Sequence, residues 1–254
     1  MTNSEFKKAD IGFVGLLVSI MLLIGITLTG CGDSTLPKLQ FVDNLRILAI
    51  SSSPVTVQAG GTTVISALVG DPKGASRNIT YAWSVCSLAQ ADATLTSCLS
   101  TLTTSTVTTT STTPTLSYTN SLNSGDGLLV TLLVSAGTEI RRGVKRVPVV
   151  SATVTEQAAP SITDFTIGGS GGTSTYSASS SQSYALEILT STLVGTNYFT
   201  TWLTDGGTLN TARTTTTFKN GLAGPNASGT YHLYAVLNDG LGGVAFSTRT
   251  FVIP

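Results

Sequence analysis

Beyond residue 30 the chain contains no window in which apolar residues recur at i, i+3, i+4 and i+7, and that absence constrains the fold more than any other feature. Without such a recurrence no helix can turn an apolar stripe toward a core. The chain offers instead short stretches in which Val, Ile, Leu, Ala and Thr alternate, separated by Gly, Asn, Asp and Pro. β-Branched side chains suit a pleated, half-buried surface, and 26 glycines interrupt the sequence too often for long helices. An all-β fold follows. The 254 residues, less about thirty at the start, suffice for two domains of about 100 residues each.

Those first residues read as an export signal. Lys7 and Lys8 precede an uncharged, largely apolar stretch over residues 11–28, and small residues follow it, which is the layout of a secretory signal peptide, residues 1–30. It ends in Leu28-Thr29-Gly30-Cys31, which resembles the lipobox of bacterial lipoproteins: an aliphatic residue, two small ones and a cysteine. The resemblance implies cleavage before Cys31, a diacylglycerol on its sulfur and, usually, an acyl chain on the new amine. One chain holds a bilayer only marginally, whereas two or three, at about 0.8 kcal/mol per buried CH2, make a stable anchor. The alternative is an uncleaved helix, since an apolar run of about 18 residues could just span a bilayer with its lysines inside. Both readings export the remainder. Gly32 stands where the inner-membrane retention signal of such lipoproteins would place Asp, which implies outer-membrane sorting; Asp33, one place later, weighs against it. The first expected partner is thus the membrane, through the anchor at Cys31, and the expected location is the cell envelope.

Of three cysteines, Cys31 is assigned to lipid, leaving Cys86 and Cys98 as an even pair in an oxidising compartment. They are expected to bond, closing the loop 87–97 and removing about 3 kcal/mol of unfolded-state entropy in the simple chain model. Two buried free thiols or a metal pair are the alternatives, although zinc wants four ligands and the single histidine, His232, is remote in sequence. Only 10% of residues are charged and the formal net charge is +0, so no field draws in nucleic acid or an anionic membrane surface.

The mature chain divides into a lipidated polar leader (residues 31–44), a first domain (45–152), a linker (153–160) and a second domain (161–254). In the first domain residues 45–50 read as a strand, Ser51-Ser52-Ser53-Pro54 as a break, and 63–69 as a strand after the Gly60-Gly61 turn. Asp71-Pro72-Lys73-Gly74 is a turn, and 78–85 a strand with Tyr81 and Trp83 on one core-bound face. The Thr/Ser-rich tract 101–115 suits either exposed strands or a solvated loop. Residues 127–135 and 142–150 form a hairpin across Ala136-Gly137-Thr138. In the second domain 162–167, 184–189, 198–203, 229–237 and 244–253 are strand-like, 168–183 is a Gly/Ser/Thr loop, and Asn238-Asp239-Gly240 turns the chain between the last two strands.

These elements carry a second resemblance. Pro54, the glycine turn, residues 64–69, Asp71-Pro72-Lys73-Gly74 and Tyr81-Ala82-Trp83 resemble the PKD and bacterial immunoglobulin-like domains of surface proteins. Trp202 with Gly206-Gly207, then Gly229-Thr230-Tyr231 through Asn238-Asp239-Gly240, is similar to the later strands of the same class. The resemblance spans residues 45–150 and 160–254 and implies two Ig-like/PKD-like β-sandwich domains. After Trp83 the PKD pattern would continue with a phenylalanine and a Gly-Asp-Gly-type turn, where this chain has Ser84-Val85-Cys86. The first domain also resembles lipoproteins of large-genome soil and predatory bacteria in which a tryptophan strand is followed by cysteine, a family that brings no assigned activity.

Residues that could carry chemistry are sparse. A Ser-His-Asp triad would have to be built on His232, which lies mid-strand and not on a loop that could aim it. Glycoside hydrolysis needs two acids a few ångströms apart, but the acids are scattered, and Asp71, Asp126, Asp205 and Asp239 read as turn residues. Asp205 and Asp239 are the candidates for calcium, which takes six to eight oxygens; no spacing matches an EF-hand, and no metal or cofactor is expected. Gly168-Gly169-Ser170-Gly171-Gly172 lacks the lysine and helix of a phosphate loop. Arg141, Arg142, Lys145 and Arg146 form the one basic cluster, fit to contact anionic glycans or lipid headgroups or, more simply, to charge a strand edge against aggregation. The expected function is a non-enzymatic envelope module, structural, adhesive or binding, that offers loops or sheet edges to a protein or glycan and not to nucleic acid. A subunit of a larger envelope complex and an unrecognised hydrolase are the alternatives. The first reading expects no pocket to collect more than two convergent titratable groups, and such a constellation around His232 would count heavily against it.

Overall fold

The computed structural model describes residues 40–74, 77–98, 109–111, 113–172, 175–193, 197–215 and 217–254. Among them are strands, one 3-10 turn (Leu88–Gln90), and no helix long and apolar enough to cross a membrane.

The first half contributes β1 (Arg46–Ser53), β2 (Val57–Gln58), β3 (Thr62–Gly70), β4 (Ile79–Ser87), β5 (Thr109–Ser111), β6 (Thr115–Thr119), β7 (Gly127–Ala136) and β8 (Glu139–Val150). They form two sheets, β1-β3-β6 and β2-β8-β7-β4-β5. Side chains alternate across a pleat, so Leu128, Val130, Leu132 and Val134 of β7 all point inward and are fully buried. With Trp83, Val85, Ile65 and Val147 they fill the space between the sheets.

The second half contributes β9 (Ser161–Ile167), β10 (Tyr176–Ser177), β11 (Ser183–Thr192), β12 (Phe199–Thr204), β13 (Thr208–Leu209), β14 (Arg213–Thr214), β15 (Lys219–Ala223), β16 (Gly229–Asn238) and β17 (Val244–Ile253). Its sheets are β10-β17-β16-β12-β14 and β13-β15-β11-β9. Their core holds Trp202, Phe165, Leu186, Ile188, Leu233 and Phe251. The described residues are therefore all-β, two immunoglobulin-like sandwiches each closed around a buried tryptophan.

Several boundaries differ from expectation. Ser51 to Ser53, read as a break, continue β1, because β3 supplies partners as far as Ser53↔Val64. The β7–β8 hairpin turns in two residues, Gly137 at φ +62 and Thr138, not three, since Ala136 pairs with Glu139. The stretch 168–183 is not all loop: Tyr176 and Ser177 pair in parallel with Phe251 and Val252. Of the Thr/Ser tract 101–115, residues 109–111 pair with β4 and Thr115 opens β6, while 101–108 and 112 lie outside the described residues.

The largest departure is the seam between the sandwiches. Residues 40–42, expected in a polar leader over 31–44, are instead tied to the fold. Phe41 bridges Thr204, the Val42 amide donates to the Thr204 carbonyl at 2.8 Å, and the Thr204 amide donates to the Gln40 carbonyl at 2.9 Å. Val42 is fully buried and joins Leu68, Leu203, Tyr234 and Val236 in a third apolar cluster, flanked by Leu48, Ala49, Val244 and Phe246. The outer face of sheet β1-β3-β6 thus packs on the outer face of β17-β16-β12, which stacks the sheets in four layers. The expected linker is also fastened. Glu156 accepts the Gln58 amide, Gln157 exchanges bonds with Val55 and Thr56, and its side chain donates to Asp239. Residues 39–254 form one compact unit.

Candidate functional site: a cleft at the seam

Where the two sandwiches diverge beside the third cluster they leave an open cleft of about 540 Å3. The first sandwich contributes Val69, Asp71, Pro72, Gly74 and Ile79; the second contributes Thr230, His232, Tyr234 and Thr248. Thr230, His232 and Tyr234 share one face of β16 because they are two apart. Their register opposite β17 puts Thr248 directly across from Tyr234.

One end of the cleft is held by an ion cluster. Arg77 donates through Nε and Nη2 to the two oxygens of Asp71, at 2.8 and 2.6 Å, and through Nη1 to Glu139 at 2.9 Å. Lys73 reaches the same Glu139 oxygen at 3.1 Å, and the Leu45 amide donates to the other oxygen. The Arg77 guanidinium beside Asp71 holds that carboxyl below the usual range, and Arg77 with Lys73 pulls Glu139 down to about 2. Fork-like pairing of this kind fixes geometry as well as charge.

On the other wall His232 Nδ1 lies 2.7 Å from Asp205 Oδ2, and the His232 amide donates to Asp205 Oδ1. This hydrogen bond to Asp205 outweighs partial burial and raises the imidazole above its ordinary value. Asp205 belongs to the Asp205-Gly206-Gly207 turn that follows β12. Gly207 is required there: its φ is +80, and a Cβ would lie 2.4 Å from the Ala223 carbonyl. Tyr234 is 4% exposed, and burial, with Asp205 and Asp71 adding to it, pushes its hydroxyl well above the usual tyrosine range. That hydroxyl has no hydrogen-bond partner among the described residues. Asp71, His232 and Tyr234 therefore converge on one cleft, against the expectation of at most two such groups. The pairing rests on register and packing between distant segments, so no local sequence signal announces it.

The remaining candidates are placed as follows. Cys31, the expected lipid attachment site, lies outside the described residues. Cys86 and Cys98 are joined in a disulfide whose loop, with Ala91, covers Leu129 on the outer face of β7. Both calcium candidates are hydrogen-bonded within the fold. Asp239 is fully buried and accepts the Leu241 and Gly243 amides at 2.8 Å, while Asp205 is committed to His232. Among the described residues no three potential ligands cluster for a metal. The basic cluster divides by side-chain direction. Arg142 and Arg146 are exposed on β8, most of which is a sheet edge because β2 covers only Val149 and Val150. Arg141 donates to the Leu45 carbonyl and Lys145 to the Gly242 carbonyl, so both act as fasteners. In the glycine loop, Ser170 and Gly171 carbonyls accept Arg249 and the Gly172 amide donates to Asp164, which is not the arrangement of a phosphate cradle.

No family model matches the chain, and no curated protein does. Solved structures to which it is similar include the D0-D1 domain of intimin, at 14% identity over 81% of this chain and 98% of that one, with a TM-score of 0.26. The fibronectin(III)-like modules of Clostridium thermocellum CbhA match at 13% identity over 81% and 94%, TM-score 0.30. A two-domain fibronectin type-III segment of chicken tenascin matches at 9% over 83% and 97%, TM-score 0.27. At such scores these likenesses carry no argument; the sandwich assignment stands on the sheets themselves.

Proposed function

We propose that the chain is a lipid-anchored, non-enzymatic binding module of the bacterial cell envelope, exported by residues 1–30, tethered to the outer membrane through Cys31, and built from two PKD-like sandwiches. The observation that carries the reading is the isolation of His232 in the cleft. Two sandwiches fixed to one another line it, and His232, although paired with Asp205, has no hydroxyl or thiol hydrogen-bonded to its second nitrogen among the described residues. Nucleophilic catalysis needs such a partner within reach, whereas binding needs only converging polar groups over an apolar wall. The convergence of Asp71, His232 and Tyr234 is the one observation that favours the second reading, a hydrolase.

Two measurements test this. Mass spectrometry of protein extracted from membranes of the native cell is expected to show loss of residues 1–30 and acyl chains on Cys31; an intact N-terminus, or recovery in the cytosolic fraction, overturns the anchored reading. Incubation of the same protein with ester, glycoside and peptide substrates is expected to leave them unchanged, and turnover abolished by His232→Gln would establish the hydrolase.

A further inference from the structure

We infer that the cleft lined by Val69, Pro72, Ile79, Thr230, His232 and Tyr234 binds a neutral, hydroxyl-rich ligand of the saccharide class. The inference rests on the reading of the chain as a binding module and names its ligand.

The first support is Tyr234. It is 4% exposed, lines the cleft, and its hydroxyl lacks a partner among the described residues. The hydroxyl itself is not enclosed: it opens to the cleft, where a ligand oxygen can accept its hydrogen bond. Because burial and the nearby carboxylates keep the phenol protonated, it presents a donor at all ordinary pH.

The second support is that the ion cluster at one end of the cleft is already matched. Asp71 is held by Arg77 and Glu139 by Arg77 and Lys73, while Asp205 is hydrogen-bonded to His232, which is its counter-charge only when protonated. An anionic ligand would surrender its hydration and meet no unpaired cation, whereas a neutral ligand escapes the cost of desolvating a charge. Anions are further opposed by Asp71 and Asp205, whose charges reach Tyr234.

The third support is the contrast between the walls. Val69, Pro72 and Ile79 offer carbon surface, while Thr230, Thr248, His232 and Tyr234 offer hydroxyls and an imidazole. A pyranose ring has the same division, C–H groups on its faces and hydroxyls at its rim. Each sugar hydroxyl both donates and accepts, so it can accept from Tyr234 and meet the second nitrogen of His232 in either protonation state. The volume, about 540 Å3, lies within the range of small-molecule sites.

The test uses the full-length acylated protein in zwitterionic micelles, free of sugar-based detergent, titrated calorimetrically with cellobiose, maltose and N,N′-diacetylchitobiose. Glucuronate and choline serve as charged probes. Saturable binding of at least one neutral disaccharide is expected, weakened about five- to tenfold by Tyr234→Phe, the loss of one hydrogen bond. Thr248→Val is expected to weaken it as well, and serves as the deciding variant should Tyr234→Phe fail to fold. Absence of binding by all three disaccharides, or affinities unchanged in Tyr234→Phe and Thr248→Val, overturns the inference. A charged probe that binds the cleft where the disaccharides do not also overturns it, and leaves the binding-module reading standing. Acyl chains found on Cys31 with no disaccharide bound likewise sink the ligand class alone.

Discussion

Trp83 and Trp202 are each fully buried, one in each core, yet they differ at the indole nitrogen. Trp202 Nε1 donates to Thr214 Oγ1 at 3.0 Å, whereas Trp83 Nε1 has no partner among the described residues. Replacing either by Ala is expected to cost about 3–5 kcal/mol through cavity formation. Replacement by Phe separates them: Trp202→Phe loses a hydrogen bond and should cost about 1 kcal/mol more than Trp83→Phe. Urea unfolding of the two variants against the parent measures the difference. Protons act at the same scale. Asp71 and Glu139 have folded values below their ordinary 3.8 and 4.5, so their stabilisation is present above those values and is lost as pH falls through the depressed folded values, for Glu139 toward about 2. His232 has the opposite sign. Its folded value lies above 6.5, so its contribution is full below pH 6.5 and disappears as pH rises through the raised value. Thermal midpoints should therefore decline on both sides of a plateau, with Arg77→Met altering the acid limb and His232→Gln flattening the alkaline one. Both tryptophans and the paired cysteines were legible in the sequence, because burial of large aromatics and an even cysteine count are local facts. The partner of His232 was not. Asp205 lies 27 residues away, and only the pairing of Thr204 with Leu233 brings the two together.

At the scale of elements, alternation located the long strands and failed where polar residues continue a ladder. Ser52 is the instructive case. It is buried in β1 with a hydroxyl that finds no partner among the described residues, so the sequence showed a turn-forming serine where the structure has a strand interior. Ser52→Ala should be neutral or stabilising, since it removes an unsatisfied group and opens almost no space; a midpoint shift in urea to lower concentration would contradict this. Two-residue strands such as β10 and β13 are equally invisible, because two positions carry no period and their partners lie beyond any local turn, as far away as Phe251 for Tyr176. The disulfide element has a measurable share. Its cysteines are 12 apart, and the Cys86→Ala, Cys98→Ala pair of changes should lower stability by about 3 kcal/mol in the chain-entropy account, as read by denaturant unfolding under non-reducing conditions.

At the scale of the molecule, two sandwiches were foreseeable from length and repeated turn chemistry, but their fixed union was not. The seam depends on the outward faces of β1, β3 and β16, whose Leu48, Leu68, Tyr234 and Val236 look, strand by strand, like ordinary solvent-side positions. A charge in that cluster should part the sandwiches without emptying either core. Val236→Asp is expected to increase the radius of gyration in X-ray scattering while both tryptophans keep their buried fluorescence. The way the chain enters this seam has a mechanical meaning. Gln40 and Val42 are hydrogen-bonded to Thr204 of the far sandwich, and three residues on the Leu45 amide holds Glu139, the carboxylate shared by Lys73 and Arg77. Tension applied from the N-terminal side thus does not peel away a loose end but is delivered to the joint and to the ion cluster bordering the cleft.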